Sequence, residues 1–210
     1  MAAQLPGDLL ALPGSPAYSP FRLVELKDSL NGVLTSNRVT SIRSIYVHYI
    51  CPQDSAAADT LRDENSRERK SLDQLLVYGD ESSELNREAE TESLARHVRE
   101  GQKRESESGG GEKKEKERLL LLLYVSPRRG TISPWSSKAT AIAHVCGLGH
   151  CVKRIERGVL LSLSFEREYE AGGGGGYPFA NSLYDRMTQV RSIFALFFFF
   201  FFFGFTLVRK

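Results

Sequence analysis

Cysteine is scarce in this chain: three residues, Cys51, Cys146 and Cys151, in 210. An odd count with no disulfide framework suits a reducing cytosol. Net charge is nearly absent as well, since 28 Lys and Arg face 26 Asp and Glu and leave +2. A chain so balanced exerts no global pull toward nucleic acid, and none is expected as a partner. The opening MAAQLPGDLLALPG lacks the basic n-region and long apolar core of a secretory signal, so a cytoplasmic location is expected. The Gly runs 109–111 and 172–176 have no Lys-Ser/Thr pair or helix start behind them and are not phosphate loops. No elbow motif surrounds any cysteine. Cys51 closes a strand before Pro52 while His48 points to the other strand face, so an activated cysteine nucleophile is not expected.

What the chain does have is a coherent stretch from Val125 to Gly158, VSPRRGTISPWSSKATAIAHVCGLGHCVKRIERG. An apolar run, Leu119 to Val125, leads into a basic turn with Arg128, Arg129 and Gly130. Ser133-Pro134 predicts a helix start, with Ser as N-cap and Pro in the first helical position. Trp135, Ala139, Ile142, Ala143 and Cys146 fall on one helical face, and Gly147 supplies the stop. A strand is predicted from about Val152 to Phe165.

Upstream, Leu23, Leu26, Leu30, Val33 and Leu34 form an apolar helical stripe after Pro20. Ser44–Ile50 alternates as a strand, and Leu61, Leu72, Leu75 and Leu76 suit a second helix ending near Gly79. Residues 80–118 are Glu, Lys, Arg, Ser and Gly with almost no apolar content. Such a segment cannot offset its ordering entropy and is expected to be a disordered insertion. After a flexible Gly172–Gly176 loop, a last helix is expected from Ser182 to Gln189. The length suits one domain, residues 12–190, with α+β architecture: a sandwich of helices packed on one face of a mainly antiparallel sheet.

Residues 191–210 are anomalous. Ile193–Val208 holds seven consecutive Phe between basic flanks. As a helix it would span about 24 Å against a hydrocarbon core of about 30 Å. A Phe homopolymer is also unlike the mixed Leu, Ile, Val and Ala of natural spans. Translated intron is therefore favoured over membrane anchor, since an oligo-T tract encodes such a run. Membrane association is not expected unless the tail is real.

Two constellations invite chemistry. Arg128, Arg129 and the Ser133 helix start have the makings of an anion site. From residues alone, a capped helix with solvated arginines is favoured over it. His144, Cys146, His150 and Cys151 are zinc-type ligands, but His144 lies opposite the Trp135–Cys146 stripe and Cys146 reads as a small core residue. No metal, cofactor-binding or catalytic residue is assigned.

The run SPRRGTISPWSSKATAIAHVCGL, followed by VKRIERG, closely resembles a signature in the N-terminal part of the phosphoribosylformylglycinamidine synthase family. LPGSPAYSPFRLVEL, SIYVHYI and LYDRMTQ resemble further stretches in the same order. The resemblance implies a PurS-like domain and a place in purine biosynthesis. It also implies a complete enzyme, a ligase and glutamine amidotransferase, that makes the amidine from formylglycinamide ribonucleotide, ATP and glutamine. ATP and magnesium belong to that enzyme's other domains. Implied for this chain is a scaffold, catalytically silent alone and docked in cis on the synthetase core through Arg128, Ser133, Ser136, Lys138 and Arg157. The alternatives are a standalone PurS-like partner of a separate synthetase, and a tail-anchored membrane protein carrying this domain.

Overall fold

Two long strands, β2 (Val39–Pro52) and β4 (Val152–Phe165), pair antiparallel and form the centre of a sheet. The computed structural model describes residues 9–34, 37–78, 88–103, 120–128, 131–167, 182–185 and 187–192. Three shorter strands complete the sheet: β1 (Leu10–Pro16), β3 (Leu120–Pro127) and β5 (Gln189–Ser192). The order is β1-β2-β4-β3-β5, every neighbouring pair antiparallel. Five α-helices lie among the described residues: α1 (Pro20–Val33), α2 (Ser55–Arg62), α3 (Arg67–Leu76), α4 (Glu88–Lys103) and α5 (Pro134–Val145). The expected α+β class holds.

The helix starts are written locally. Ser19, Asp54, Ser66 and Ser133 each stand at an N-cap and accept a hydrogen bond from a backbone N–H three residues on, satisfying a donor with no partner inside the helix. Pro follows at the start of α1 and α5, where its missing N–H costs nothing. Gly147 ends the α5 turn at φ 87°, a left-handed conformation that suits glycine.

Because side chains alternate along a strand, β2 buries different residues on its two faces. One face carries two helical groups. Leu26 and Leu30 of α1 pack with Ile42, Leu123, Leu161 and Leu163. Leu61 of α2, Leu72 of α3 and Ala143 of α5 pack with Leu12, Ile50 and Ile155. The opposite face buries Ile45, Val47, Tyr49, Tyr124 and Leu160 against Leu94 and Val98 of α4.

Helix α4 corrects two expectations. Residues 88–103 belong to the stretch read as a disordered insertion, and they form a helix that docks three apolar side chains, Leu94, Ala95 and Val98. Three contacts at helical spacing suffice because the sheet face beneath them is already apolar, so propensity and packing agree. The helices therefore cover both sheet faces, not one. The other residues of 80–118 (80–87 and 104–118), the Gly172–Gly176 loop and the Phe run of the tail lie outside the described residues.

Other boundaries move as well. The single helix expected before Gly79 is two, broken at Asp63–Ser66. The LALPGSP stretch is strand β1 despite two prolines, because it lies at the sheet edge and its register shifts between Pro13 and Pro16. The helix expected over 182–189 gives way to a turn. Asp185 accepts from the backbone N–H of Met187 and the hydroxyl of Thr188 there, and Gln189 begins β5. Strand β5 thus runs across the domain boundary placed at residue 190.

Candidate functional site

Helix α5 is attached to the sheet by a ladder of side chains. The last β3 partner of β4 is Val125, opposite Val159, so the β4 edge beyond that point has no strand beside it. Ser136, Thr140 and His144, one turn apart along α5, take its place. The Ser136 hydroxyl donates to the Ile155 carbonyl (2.6 Å), the Ile155 N–H donates to Thr140 Oγ1 (3.0 Å), and His144 Nε2–H donates to the Val152 carbonyl (2.8 Å). Backbone groups that an adjoining strand would have paired are thereby satisfied.

The α5 N-terminus already faces an anion from within the chain. The Ser133 hydroxyl donates to Glu156 Oε1 (2.8 Å), and the Glu156 carboxylate, 2% exposed, also receives Arg154 Nη2 (2.7 Å) and the Arg157 N–H (3.0 Å). A carboxylate beside a helix start, with a guanidinium and a backbone N–H on it, is a favourable electrostatic arrangement.

Next to this ladder lies an aromatic cluster. His48 and Arg157 are cross-strand partners at the centre of the sheet. The imidazole of His48 stacks under Trp135, centroids 5.7 Å apart, and its Nε2 is 2.6 Å from the Tyr78 hydroxyl. His48 is fully buried, and burial, then the charge of Arg157, lowers its pKa to about 3, so the ring is neutral. The Arg157 guanidinium carbon lies 4.3 Å from the Tyr46 ring centroid, 4.6 Å from that of Trp135 and 5.7 Å from that of Tyr78. Nη1 of Arg157 is 3.3 Å from the Tyr78 hydroxyl. Burial raises the Tyr78 pKa against the opposing pull of Arg157, which keeps the phenol protonated. Gly14 of β1 is required here, because a Cβ at that position would run into the His48 ring. A cleft of about 270 Å³ lies beside Tyr78, between Gly14 and Ser15 of β1 and Asp73 and Leu76 of α3.

The structure disperses the five residues singled out from sequence. Ser133 and Ser136 are engaged internally, the latter 1% exposed. Arg128 is exposed and reaches the turn before β5, its Nη1 donating to the Met187 carbonyl. Lys138 is exposed on α5. Arg157 alone enters the aromatic cluster. Tyr46, His48 and Tyr78 were missed. The alternation of Tyr46 with Val47 and His48 was a visible signal, but their meeting with Arg157 depends on strand register.

The Trp135 stripe is only partly a core face. Ala143 is buried and Trp135 and Ala139 are half-buried, but Ile142 (54%) and Cys146 are exposed. Cys146 is therefore not the small core residue expected. Ile132 (64%) and Val145 (88%) are exposed as well, so α5 and the loop before it carry apolar side chains to the surface. His144, His150 and Cys151 each hydrogen-bond a local carbonyl. Among the described residues no three His, Cys, Asp or Glu side chains are grouped to hold a metal ion. Among them, too, no helix is long and apolar enough to cross a membrane.

The family model described as formylglycinamide ribonucleotide amidotransferase N-terminal matches residues 46–194, from the middle of β2 past the end of β5. Phosphoribosylformylglycinamidine synthase of Saccharomyces cerevisiae (strain ATCC 204508 / S288c) is 36% identical over 187 residues. That alignment covers 85% of this chain and 12% of the relative.

Proposed function

This chain belongs to the formylglycinamide ribonucleotide amidotransferase N-terminal family, and from that premise we propose that it acts as the N-terminal scaffold domain of a phosphoribosylformylglycinamidine synthase. The family match, which takes in β4, α5 and the aromatic cluster, carries this reading. The chain spans 12% of the length of the yeast relative, which supports assigning the activity to a much longer polypeptide. There, formylglycinamide ribonucleotide, ATP and glutamine are converted to the amidine in the cytoplasm, with ATP and magnesium held by other domains. The domain described here packs in cis on the synthetase core. Exposed Ile132, Ile142 and Val145 suit a surface that further polypeptide covers.

Two measurements test this. The purified chain is expected neither to hydrolyse glutamine nor to consume ATP with the formylglycinamide substrate, and turnover that survives removal of contaminating enzymes overturns the scaffold role. Supplied in trans, the chain is expected to co-purify with the yeast synthase lacking its matched segment. Absence of association with the properly folded remainder counts against docking in cis.

A further inference from the structure

We propose that Arg157 is a preformed fork for a single carboxylate side chain, an Asp or Glu of the polypeptide that packs over this face of the domain. This rests on the scaffold reading for its occupant and on the geometry for its chemistry. Arg157 stands on the sheet face that carries α1, α2, α3 and α5, between the α1 group and the α2–α3–α5 group, with its guanidinium over the Tyr46 and Trp135 rings. Nη1 donates to the Tyr78 hydroxyl, the one hydrogen bond of the guanidinium among the described residues. Among the described residues no carboxylate is paired with the Arg157 guanidinium, which meets only the Tyr78 hydroxyl and the surrounding rings. The neighbouring Glu156 carboxylate accepts only the Arg157 backbone N–H and is otherwise held by Arg154 and Ser133.

Charge decides the class of ligand. Neutral His48 and the phenols of Tyr46 and Tyr78 add no positive charge, so the cluster presents one cation. A singly charged planar carboxylate matches one guanidinium in both charge and fork geometry, whereas a phosphate dianion would call for further cations. Aromatic rings on the guanidinium restrict its motion before the partner arrives, which lowers the ordering cost of binding.

The test uses the whole chain and its only tryptophan, Trp135, as reporter. N-acetyl-glutamate amide, inorganic phosphate and chloride are titrated separately at constant ionic strength, following Trp135 emission. The glutamate probe is expected to give a saturable change that chloride does not. Arg157→Gln is expected to weaken it at least tenfold, and Arg157→Lys, which keeps the charge but loses the fork, to weaken it several-fold. Phosphate binding tighter than the glutamate probe overturns the assignment. So does an unsaturable response in a folded wild-type chain, or an undiminished response in Arg157→Lys. Failure of the chain to associate with the yeast remainder, with the glutamate response intact, sinks the scaffold reading and leaves the fork standing.

Discussion

The indole of Trp135 stacks on the imidazole of His48, with centroids 5.7 Å apart and planes inclined by 26°. One ring comes from the first turn of α5 and the other from the middle of β2, so the contact ties the edge-covering helix to the sheet centre. It also carries Arg157 on its flank. Trp135→Ala is expected to cost about 3 kcal/mol, the low end for a large aromatic because the ring is only half-buried. Trp135→Phe, which keeps a stacked ring, should lose less than half of that. Urea denaturation followed by circular dichroism checks both, and equal losses would mean that ring stacking contributes nothing.

His48 should make the domain sensitive to mild acid. Its pKa is about 3 folded and 6.5 unfolded, so below pH 6.5 the unfolded chain binds the proton first. The stabilising difference is complete above that pH and shrinks as pH falls toward 3. Between pH 7.5 and pH 5 this one group should remove about 2 kcal/mol. His48→Gln abolishes that part, so the gap between wild type and variant should narrow by a similar amount over the same window. A pH-independent gap would show that His48 titrates normally in the folded protein.

Glu156 should be costly to truncate. It is buried and compensates Arg154 while receiving Ser133. Glu156→Ala leaves a partly buried guanidinium without its acid and is expected to cost about 3–5 kcal/mol. Glu156→Gln keeps an acceptor for Ser133 and should cost less. The two variants can be ranked by thermal unfolding at one pH, and the reverse order would contradict the network as described.

Helix α4 should behave as a folded element. Leu94 is 3% exposed and packs with Ile45, Val47 and Tyr124. Leu94→Ala is expected to cost about 2–4 kcal/mol. Hydrogen exchange should find the amides around Leu94–Val98 protected in the native chain. Exchange there at the rate of an unstructured peptide would return this segment to the insertion from which the structure removes it.

Much of the local structure was legible in the chain. Ser133, Pro134 and Gly147 delimit α5 because caps and stops are chemical requirements of the helix ends themselves. The bounds of β4 agree with its alternation, Val152–Phe165. The family resemblance was legible in the residues around Trp135. Strand β1 escaped notice because Pro13 and Pro16 argue against a strand everywhere except at an edge, and edge position is a property of the sheet. Helix α4 escaped because its charged composition gives no sign that an apolar sheet face awaits Leu94 and Val98.

By itself, then, the sequence determined the starts of α1 and α5, the strand β4, the middle of β2 and the family, all of which depend on neighbours within a few residues or on a contiguous signature. Tertiary structure alone decided that Ser136, Thr140 and His144 stand in for a missing strand, and that Glu156 occupies the α5 start. It also decided that Arg157 lies among Tyr46, Tyr78 and Trp135. These groups are brought together by the antiparallel register of β2 with β4, in which His48 opposes Arg157. A slip of one residue would turn either side chain to the other face of the sheet.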